Sequence, residues 1–511
     1  MSTEKEVGRG RDRRDMMRGA GMAFLGRIGA LIEAASFPLF LWLYGPVVFG
    51  LFATLWALLR MASGFTQMGM DVALPRFVPL HENDPDTQLR CLKIALIAAM
   101  TVGSLSGLAL VLLAPLIAPS IEGADNVADT IFVIRVYAPV LPLWTLIEVL
   151  TAAIRSRRRF GPEIRIRFFY EQVLRILFAA LFAFVGFDLL GLFLAHLLSA
   201  ALSCVLAFQL LRRNYPLARF FSIAPDRALI RQMLIYALPM MPSTLIQRFI
   251  SELPVVLLNI LIPGSRGAAI AGYYSIARKI SSVMQIIHNS FDYVIAPLAA
   301  FRKGTGDPGA IADMYGYSAR LMIGWGALLA SALVALGAPL MTALGPGAAA
   351  AGPTLVLLIL GRYASFFFGQ APAILRTVAA GWWSLANGLA GLIVMILLIL
   401  LLVADHGSEG AAIAAGVGLF VIRGLSFLEL RIMTGMTPYD RRMTRPLLLS
   451  MTLAGLTIAI GRVVADQSLP LQILVVLLIF GLSIPAFLRY GLSDEDANAF
   501  GGLARRLRRG R

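Results

Sequence analysis

Apolar runs near or above the ~18-residue length that can cross a bilayer recur from one end of the chain to the other. Fourteen spans are predicted, at 22–44, 47–70, 92–118, 131–154, 168–186, 189–211, 232–262, 270–300, 319–344, 353–377, 382–404, 410–434, 447–465 and 470–490. The pattern is that of an all-α polytopic membrane protein. The polar, basic start MSTEKEVGRGRDRRDMMRG leads straight into the first span, which is too long for a signal-peptide core, so no cleavable leader is expected.

One span breaks the apolar pattern. GYYSIARKISSVMQIIHNSFDYVIAPL, within 270–300, carries Arg278, Lys279, Gln285, His288, Asn289 and Asp292. At 100° per residue, Ser281, Ser282, Gln285, His288, Asn289 and Asp292 share the side of the helix that carries Arg278, with Lys279 beside them. Charge facing lipid costs roughly 2.5–3.5 kcal/mol per residue, so a continuous stripe is expected to face water or a polar cavity.

The polar stripe has a counterpart. GLFA begins at Gly50 and GYYS at Gly272; LPRF places a proline at 75 and APLA one at 297, and both offsets are 222 residues. The same offset carries Arg60 to Ser282, Ser63 to Gln285 and Gln67 to Asn289. Six spans separate the copies, which makes the repeat parallel, and sites between internal repeats are a transporter pattern. The expected organisation is a cytoplasmic segment 1–21, an N-lobe 22–211, a linker 212–231, a C-lobe 232–434, two appended spans within 435–490 and a basic tail 491–511. The two six-helix lobes are pseudo-symmetric around a central cavity, which the polar faces of the second and eighth spans are expected to line.

Further polar residues lie deep in other spans: Arg27 and Glu33 in the first, Gln67 and Asp71 at the end of the second, Arg248, Glu252 and Asn259 on one face of the seventh, Arg362 in the tenth and Arg423 in the twelfth. Simpler readings stand beside the cavity one. Lys93, Arg135 and Arg462 lie near span ends and can snorkel. Glu171 and Arg175 are spaced i,i+4 and can neutralise each other, as can Arg248 and Glu252. His196, alone on an apolar span, reads as a core residue.

Composition sharpens this picture. The chain has 511 residues, of which 58% are hydrophobic and only 14% charged, with mean hydropathy +0.78. Yet its formal net charge is +16. With the N-terminus cytoplasmic, every loop Lys and Arg except Arg266 falls on the cytoplasmic side, as the positive-inside rule requires, and both termini lie there. The basic loop RSRRRFGPEIRIR and the tail GLARRLRRGR therefore read as topology determinants against anionic lipid, with no nucleic-acid partner implied. The far-side loops are short, which argues against a glycosyltransferase, ligase or polymerase, and the chain is read as a transporter and not an enzyme. No GxxxxGK[ST] motif is present. Cys91 and Cys204 have no metal-ligand spacing, and no metal or cofactor is expected. Basic residues outnumber acidic ones at the deep positions, which points to an anionic ligand and against a drug or cation antiporter.

The segment 47–79, VVFGLFATLWALLRMASGFTQMGMDVALPRFVP, resembles the early signature of the polysaccharide-transporter branch of the multidrug/oligosaccharidyl-lipid/polysaccharide exporter superfamily, in which G-x-x-x-A-x-x-R-[FY] is met here by Gly69, Ala73, Arg76 and Phe77. IYALPMMPSTLIQRFISELPVVLLNIL (235–261) is similar to that family's seventh helix, GYYSIARKISSV to the segment after it, and GSEGAAIAAGVG (407–418) to the start of its twelfth. The resemblance implies a V of two six-helix bundles and alternating access without ATP. It further implies that a lipid-linked oligosaccharide is flipped across a bacterial inner membrane, commonly an undecaprenyl-pyrophosphate-linked unit of O-antigen, capsule or exopolysaccharide. A lipid II-type peptidoglycan flippase would use much the same physics. The residues expected to bind the anionic headgroup are Arg27, Arg60, Arg248, Arg278, Lys279 and Arg362, with Gln67, Glu252, Asn259, Ser282, Gln285, His288, Asn289 and Asp292 as polar lining. Membrane lipids are further partners, the chain is expected to act as a monomer, and H⁺ or Na⁺ coupling could use His288, Asp292, Glu33 or Glu252.

Overall fold

The computed structural model describes residues 29–121, 123, 126–157, 165–379, 381–493 and 496. Among them every regular element is helical. They fall into two compact units, one of Gly29–Ile276 and one built on Ala277–Arg511.

The first unit comprises α1 (Gly29–Thr66), α2 (Met70–Leu80), α3 (Pro85–Ile117), α4 (Val127–Tyr137), α5 (Val140–Ser156), α6 (Glu171–Val185), α7 (Gly191–Arg212), α8 (Arg227–Ala237), α9 (Met241–Leu261) and most of α10 (Ser265–Ser281). The second holds the end of α10 and then α11 (Val283–Gly304), α12 (Pro308–Ala343), α13 (Gly352–Phe366), α14 (Ala371–Val378), α15 (Trp382–Thr434), α16 (Thr444–Val463) and α17 (Leu469–Ala486).

Eleven helices among the described residues are long and apolar enough to cross a membrane. Three features account for the difference from fourteen predicted spans. The first and second spans run together in α1, where Gly45 at φ 77° breaks the helix. The eleventh and twelfth run together in α15, which breaks at Gly407 with φ 49°. At ~1.5 Å per residue, each of these rods is far longer than a ~30 Å hydrocarbon core. The eighth span is not one helix, since α10 ends at Ser281 and α11 starts at Val283. The seventh, expected as one long helix, is also two: a 3-10 turn over Leu238–Met240 separates α8 from α9.

Short polar side chains start a few of the helices. Asp84 accepts hydrogen bonds from the Asp86 and Thr87 amides at the head of α3, and Asp307 accepts from Ala310 N at the head of α12. Both are followed by proline, whose missing N–H is not needed at a first helical position. Asp84-Pro85 and Asp307-Pro308 thus open α3 and α12 in the same way.

The G-x-x-x-A-x-x-R-F signature is a packing device within the first unit. Gly69 has φ 68°, and a Cβ there would lie 2.5 Å from the Ala237 carbonyl oxygen, so α2 turns off α1 directly against the end of α8. One helical face later, the Arg76 guanidinium lies 4.2 Å from the centre of the Tyr236 ring, and the Phe77 ring meets Tyr236 at 5.9 Å. Met70, Ala73, Leu74 and Val78 join Met233 and Ala237 in one buried cluster. Two glycines also meet: a Cβ on Gly272 would come within 3.1 Å of Gly50 Cα, and one on Gly50 would lie 1.8 Å from the Ala268 carbonyl oxygen, so Gly50 leaves no room for a side chain where α1 crosses α10.

Candidate functional site

The first unit holds a buried ionic cluster at the meeting of α1, α5 and α9 with the π-helical turn Arg165–Tyr170. Arg60 on α1 and Glu252 on α9 form an ion pair at 3.2 Å, with the carboxylate fully buried and the guanidinium 24% exposed. Ser251 Oγ also donates to Glu252, at 3.3 Å. Glu148 on α5 accepts from Arg167 Nη2 at 2.5 Å and lies 3.9 Å from Arg248 Nη2 on α9. Gly64 makes room for this arrangement. A Cβ there would press on Leu245 at 3.2 Å and on the Arg248 stem at 3.3 Å.

Three guanidiniums therefore gather around two carboxylates, with Glu33 and Asp71 close enough to act on Arg60 and Arg248. Arg167 and Arg248 keep 20% and 21% of their side-chain surface exposed, so the cluster is not sealed. Two tryptophans form the floor. Arg60 lies 5.9 Å from the Trp56 ring centre and Arg167 the same distance from that of Trp144, while the two indoles pack edge to face at 4.8 Å. Quadrupole attraction holds each guanidinium near its ring without neutralising it. Nearby, Arg155 Nη2 donates to the Asp71 carbonyl at 3.0 Å.

Behind Trp56 lies a second, fully buried set. Arg175 Nη2 donates to Glu171 at 2.6 Å, which is the i,i+4 pair foreseen from spacing. His196 is likewise a core residue, with Nδ1 2.6 Å from the Tyr137 hydroxyl. Lys93 reaches back to the Ile223 carbonyl at 2.8 Å, as a snorkelling residue near a helix end would.

The second unit carries its own polar group. Arg362 on α13 donates from Nε to Ser281 Oγ and from Nη1 to Gln285 Oε1, each at 3.2 Å. Gln285 in turn donates to Asn289 at 3.4 Å. Gln370 Nε2 donates to the His288 carbonyl at 2.8 Å and lies 3.3 Å from His288 Nδ1. Arg376 on α14 pairs with Asp292 at 2.8 Å. Arg278 and Lys279 are half-buried in the last turn of α10, and Ser282, half-buried, sits at the break and donates to the Lys279 carbonyl at 2.6 Å. The stripe is thus distributed over two helices, and α13, α14 and Gln370 in the turn between them satisfy four of its members.

Of the remaining candidates, Gln67 and Asn259 are buried, Gln67 with an unpartnered Nε2, and Glu33 is half-buried. Arg27 lies outside the described residues. Arg423, named only in passing from the sequence, is buried and lies 5.8 Å from the Phe366 ring centre.

Glu148 and Arg167 were not foreseen. Arg167 immediately precedes a span by hydropathy and is counted with the loop, and Glu148 is a lone acid in an apolar run with no i,i+4 partner to mark it. Gln370 and Arg376 are equally silent in sequence, because their partners are 82 and 84 residues away. Among the described residues no group of His, Cys, Asp or Glu could hold a metal ion.

The geometry can be set beside known proteins. A family model described as polysaccharide biosynthesis protein matches residues 17–300. No curated protein sequence matches the chain. Among solved structures, lipid II flippase MurJ in an inward closed conformation matches with TM-score 0.63 and 12% identity over 92% of this chain and 98% of that one. A multidrug resistance MATE family transporter of the MOP superfamily in an inward-facing conformation matches with TM-score 0.60 and 16% identity over 82% and 94%. A mutant of the Vibrio cholerae MATE transporter VcmN matches with TM-score 0.54 and 12% identity over 84% and 99%. At these identities the likeness is one of fold. The chain belongs to the polysaccharide biosynthesis protein family and carries the multi-pass fold of the MOP-superfamily transporters.

Proposed function

We propose that the protein is a flippase that moves a lipid-linked oligosaccharide from the inner to the outer leaflet of a bacterial cytoplasmic membrane, with both termini cytoplasmic. The lipid-linked unit would be an isoprenoid diphosphate carrying a repeat unit of O-antigen, capsule or exopolysaccharide. The observation that carries this reading is the gathering of three partly exposed guanidiniums, those of Arg60, Arg167 and Arg248, around Glu148 and Glu252. A diphosphate meets charge-assisted donors there in a fork geometry that suits its oxygens.

The carboxylates have a role in this reading. An unpaired guanidinium inside a membrane protein is costly, and Glu148 and Glu252 offset that cost when no substrate is bound. An arriving diphosphate replaces part of the pairing, and on release the carboxylates take the arginines back. Binding therefore exchanges one set of ionic hydrogen bonds for another and stays weak enough to reverse. The Trp56 and Trp144 floor keeps the guanidiniums in place during the exchange. Turnover requires that this site be exposed alternately to the two sides of the membrane, with the isoprenoid remaining in lipid.

The test is export of the glycan by cells carrying Arg60→Gln/Glu252→Gln or Arg248→Gln, scored beside the abundance of each variant in the membrane. Export should collapse at normal abundance. Normal export by abundant variants would rule out the assignment.

A further inference from the structure

Three arginines are buried among the described residues: Arg175, Arg320 and Arg423. Arg175 is paired with Glu171 at 2.6 Å, and Arg320 with Asp440 at 2.8 Å and Asp496 at 2.9 Å. Arg423 makes no ion pair among the described residues, and its Nη1 is buried without a hydrogen-bond partner. It lies in the second half of α15, which runs from the break at Gly407 to Thr434. At ~1.5 Å per residue it is about 16 Å from the nearer end of that segment, too deep to snorkel. Close backbone packing puts it there. A Cβ on Gly361 of α13 would lie 2.7 Å from Gly416 Cα of α15. Gly416 and Arg423 are two helical turns apart, so they share the face that α15 presses on α13.

The surroundings of Arg423 do not balance its charge. Two charged groups act on it: Arg362, which repels it, and Asp292, which attracts it. Asp292 is already paired with Arg376 at 2.8 Å. Arg362, one turn before Phe366 on α13, gives its Nε and Nη1 to the neutral Ser281 and Gln285. The Phe366 ring centre is 5.8 Å from the Arg423 guanidinium carbon, and its quadrupole attracts the cation without neutralising it. Arginine cannot escape by losing a proton, because the guanidinium stays charged at any physiological pH. A water molecule would satisfy Nη1 and leave the charge uncompensated. Buried charges persist where a counter-charge meets them, as Arg175 and Arg320 do here.

We infer that Arg423 is the primary ligand of a small inorganic monoanion, chloride in a cell, held where α13 meets α15 with Arg362 as the second cation. The anion offsets the repulsion between the two guanidiniums and so fastens the helices together. Its size follows from the burial of Arg423: a lipid-linked diphosphate or a sugar carboxylate brings a body that a contact this enclosed does not admit. The site is separate from the ionic cluster of the first unit and does not depend on the flippase reading.

The experiment uses the full-length protein in detergent. Radiolabelled chloride binding is measured by equilibrium dialysis for the wild type, Arg423→Gln, Arg423→Lys and Arg248→Gln, with inorganic pyrophosphate as a competitor. Thermal unfolding is followed in chloride and in gluconate at equal ionic strength. The wild type should bind chloride saturably and unfold at a higher temperature in chloride, because a ligand of the folded state stabilises it. Arg423→Gln should bind at least about tenfold more weakly, and with no charge to neutralise it should unfold at the same temperature in both salts. Arg423→Lys keeps the charge and should keep the salt dependence. Should Arg423→Gln fail to fold, an anomalous bromide peak beside Arg423 in crystals of the wild type decides, its presence supporting the site and its absence overturning it. A wild type indifferent to chloride, or a folded Arg423→Gln that binds it unchanged, overturns the inference. Binding lost in Arg248→Gln and kept in Arg423→Gln puts the anion in the first unit and overturns it too. Displacement of chloride by equimolar pyrophosphate overturns the monoanion assignment.

Discussion

Arg60 Nη1 lies 3.2 Å from Glu252 Oε1, which ties the second predicted span to the seventh. Spacing alone offers Glu252 a partner one turn away on its own helix, at Arg248. The structure gives it Arg60, and puts Arg248 3.9 Å from Glu148 instead. A tertiary pair across helices has thus taken the place of a local one, and each carboxylate is bonded to a residue that a membrane span would not tolerate alone.

Double substitution follows from that pairing. Glu252→Gln leaves Arg60 without its counter-ion and should destabilise the protein by about 1–3 kcal/mol, since a charged group loses its partner in a largely buried place. Arg60→Gln/Glu252→Gln should restore membrane abundance and should not restore glycan export. Thermal unfolding in detergent and an export assay separate the two effects.

Arg248 should behave as a ligand-binding residue. Arg248→Ala should weaken binding of a lipid diphosphate by on the order of 1.5–3 kcal/mol, roughly tenfold or more, with Arg248→Lys intermediate because the charge remains and the fork is lost. Titration of the purified protein with undecaprenyl diphosphate measures this.

The Gly69–Arg76 signature should be structural. Gly69→Ala drives a Cβ onto the Ala237 carbonyl from a left-handed backbone, and should lower the melting temperature and abundance sharply, by about 1–3 kcal/mol. Arg76→Ala loses the contact with Tyr236 and should cost about 0.5–1 kcal/mol. Export per molecule of surviving protein should stay near normal in both, measured against quantitative blots of the membrane fraction.

Orientation has its own test. Cys91 and Cys204 are buried, so their replacement by alanine should give a silent, folded background. Single cysteines in 212–231 should resist a membrane-impermeant thiol reagent applied to intact cells, and those in 119–130 should react. Reversal of that pattern would invert the orientation.

The helical, membrane-spanning nature of the chain was readable from hydropathy, and the family from Gly69, Ala73, Arg76 and Phe77. Places where the chain bends were harder. Ser282 separates α10 from α11 with ordinary helical dihedrals, and nothing local in the sequence marks it. The site was legible in part. Arg60, Arg248 and Glu252 stand out because isolated charges in apolar runs need a reason. Glu148 meets the same criterion as a lone acid in an apolar run, whereas its partner Arg167 does not, because it lies in a turn that hydropathy assigns to a loop. The His288–Gln370 and Asp292–Arg376 contacts became visible only when α13 and α14 were placed against α11.

The most direct test of the account is translocation itself. The purified protein is reconstituted in proteoliposomes with a fluorescent, isoprenoid diphosphate-linked oligosaccharide, and the rate at which the label reaches the opposite leaflet is followed by quenching with an impermeant reductant. The wild type should translocate the lipid without ATP, and Arg60→Gln/Arg248→Gln should reduce the rate by at least about tenfold at equal protein density. A wild type no faster than protein-free vesicles, or a double variant as fast as the wild type, would contradict it.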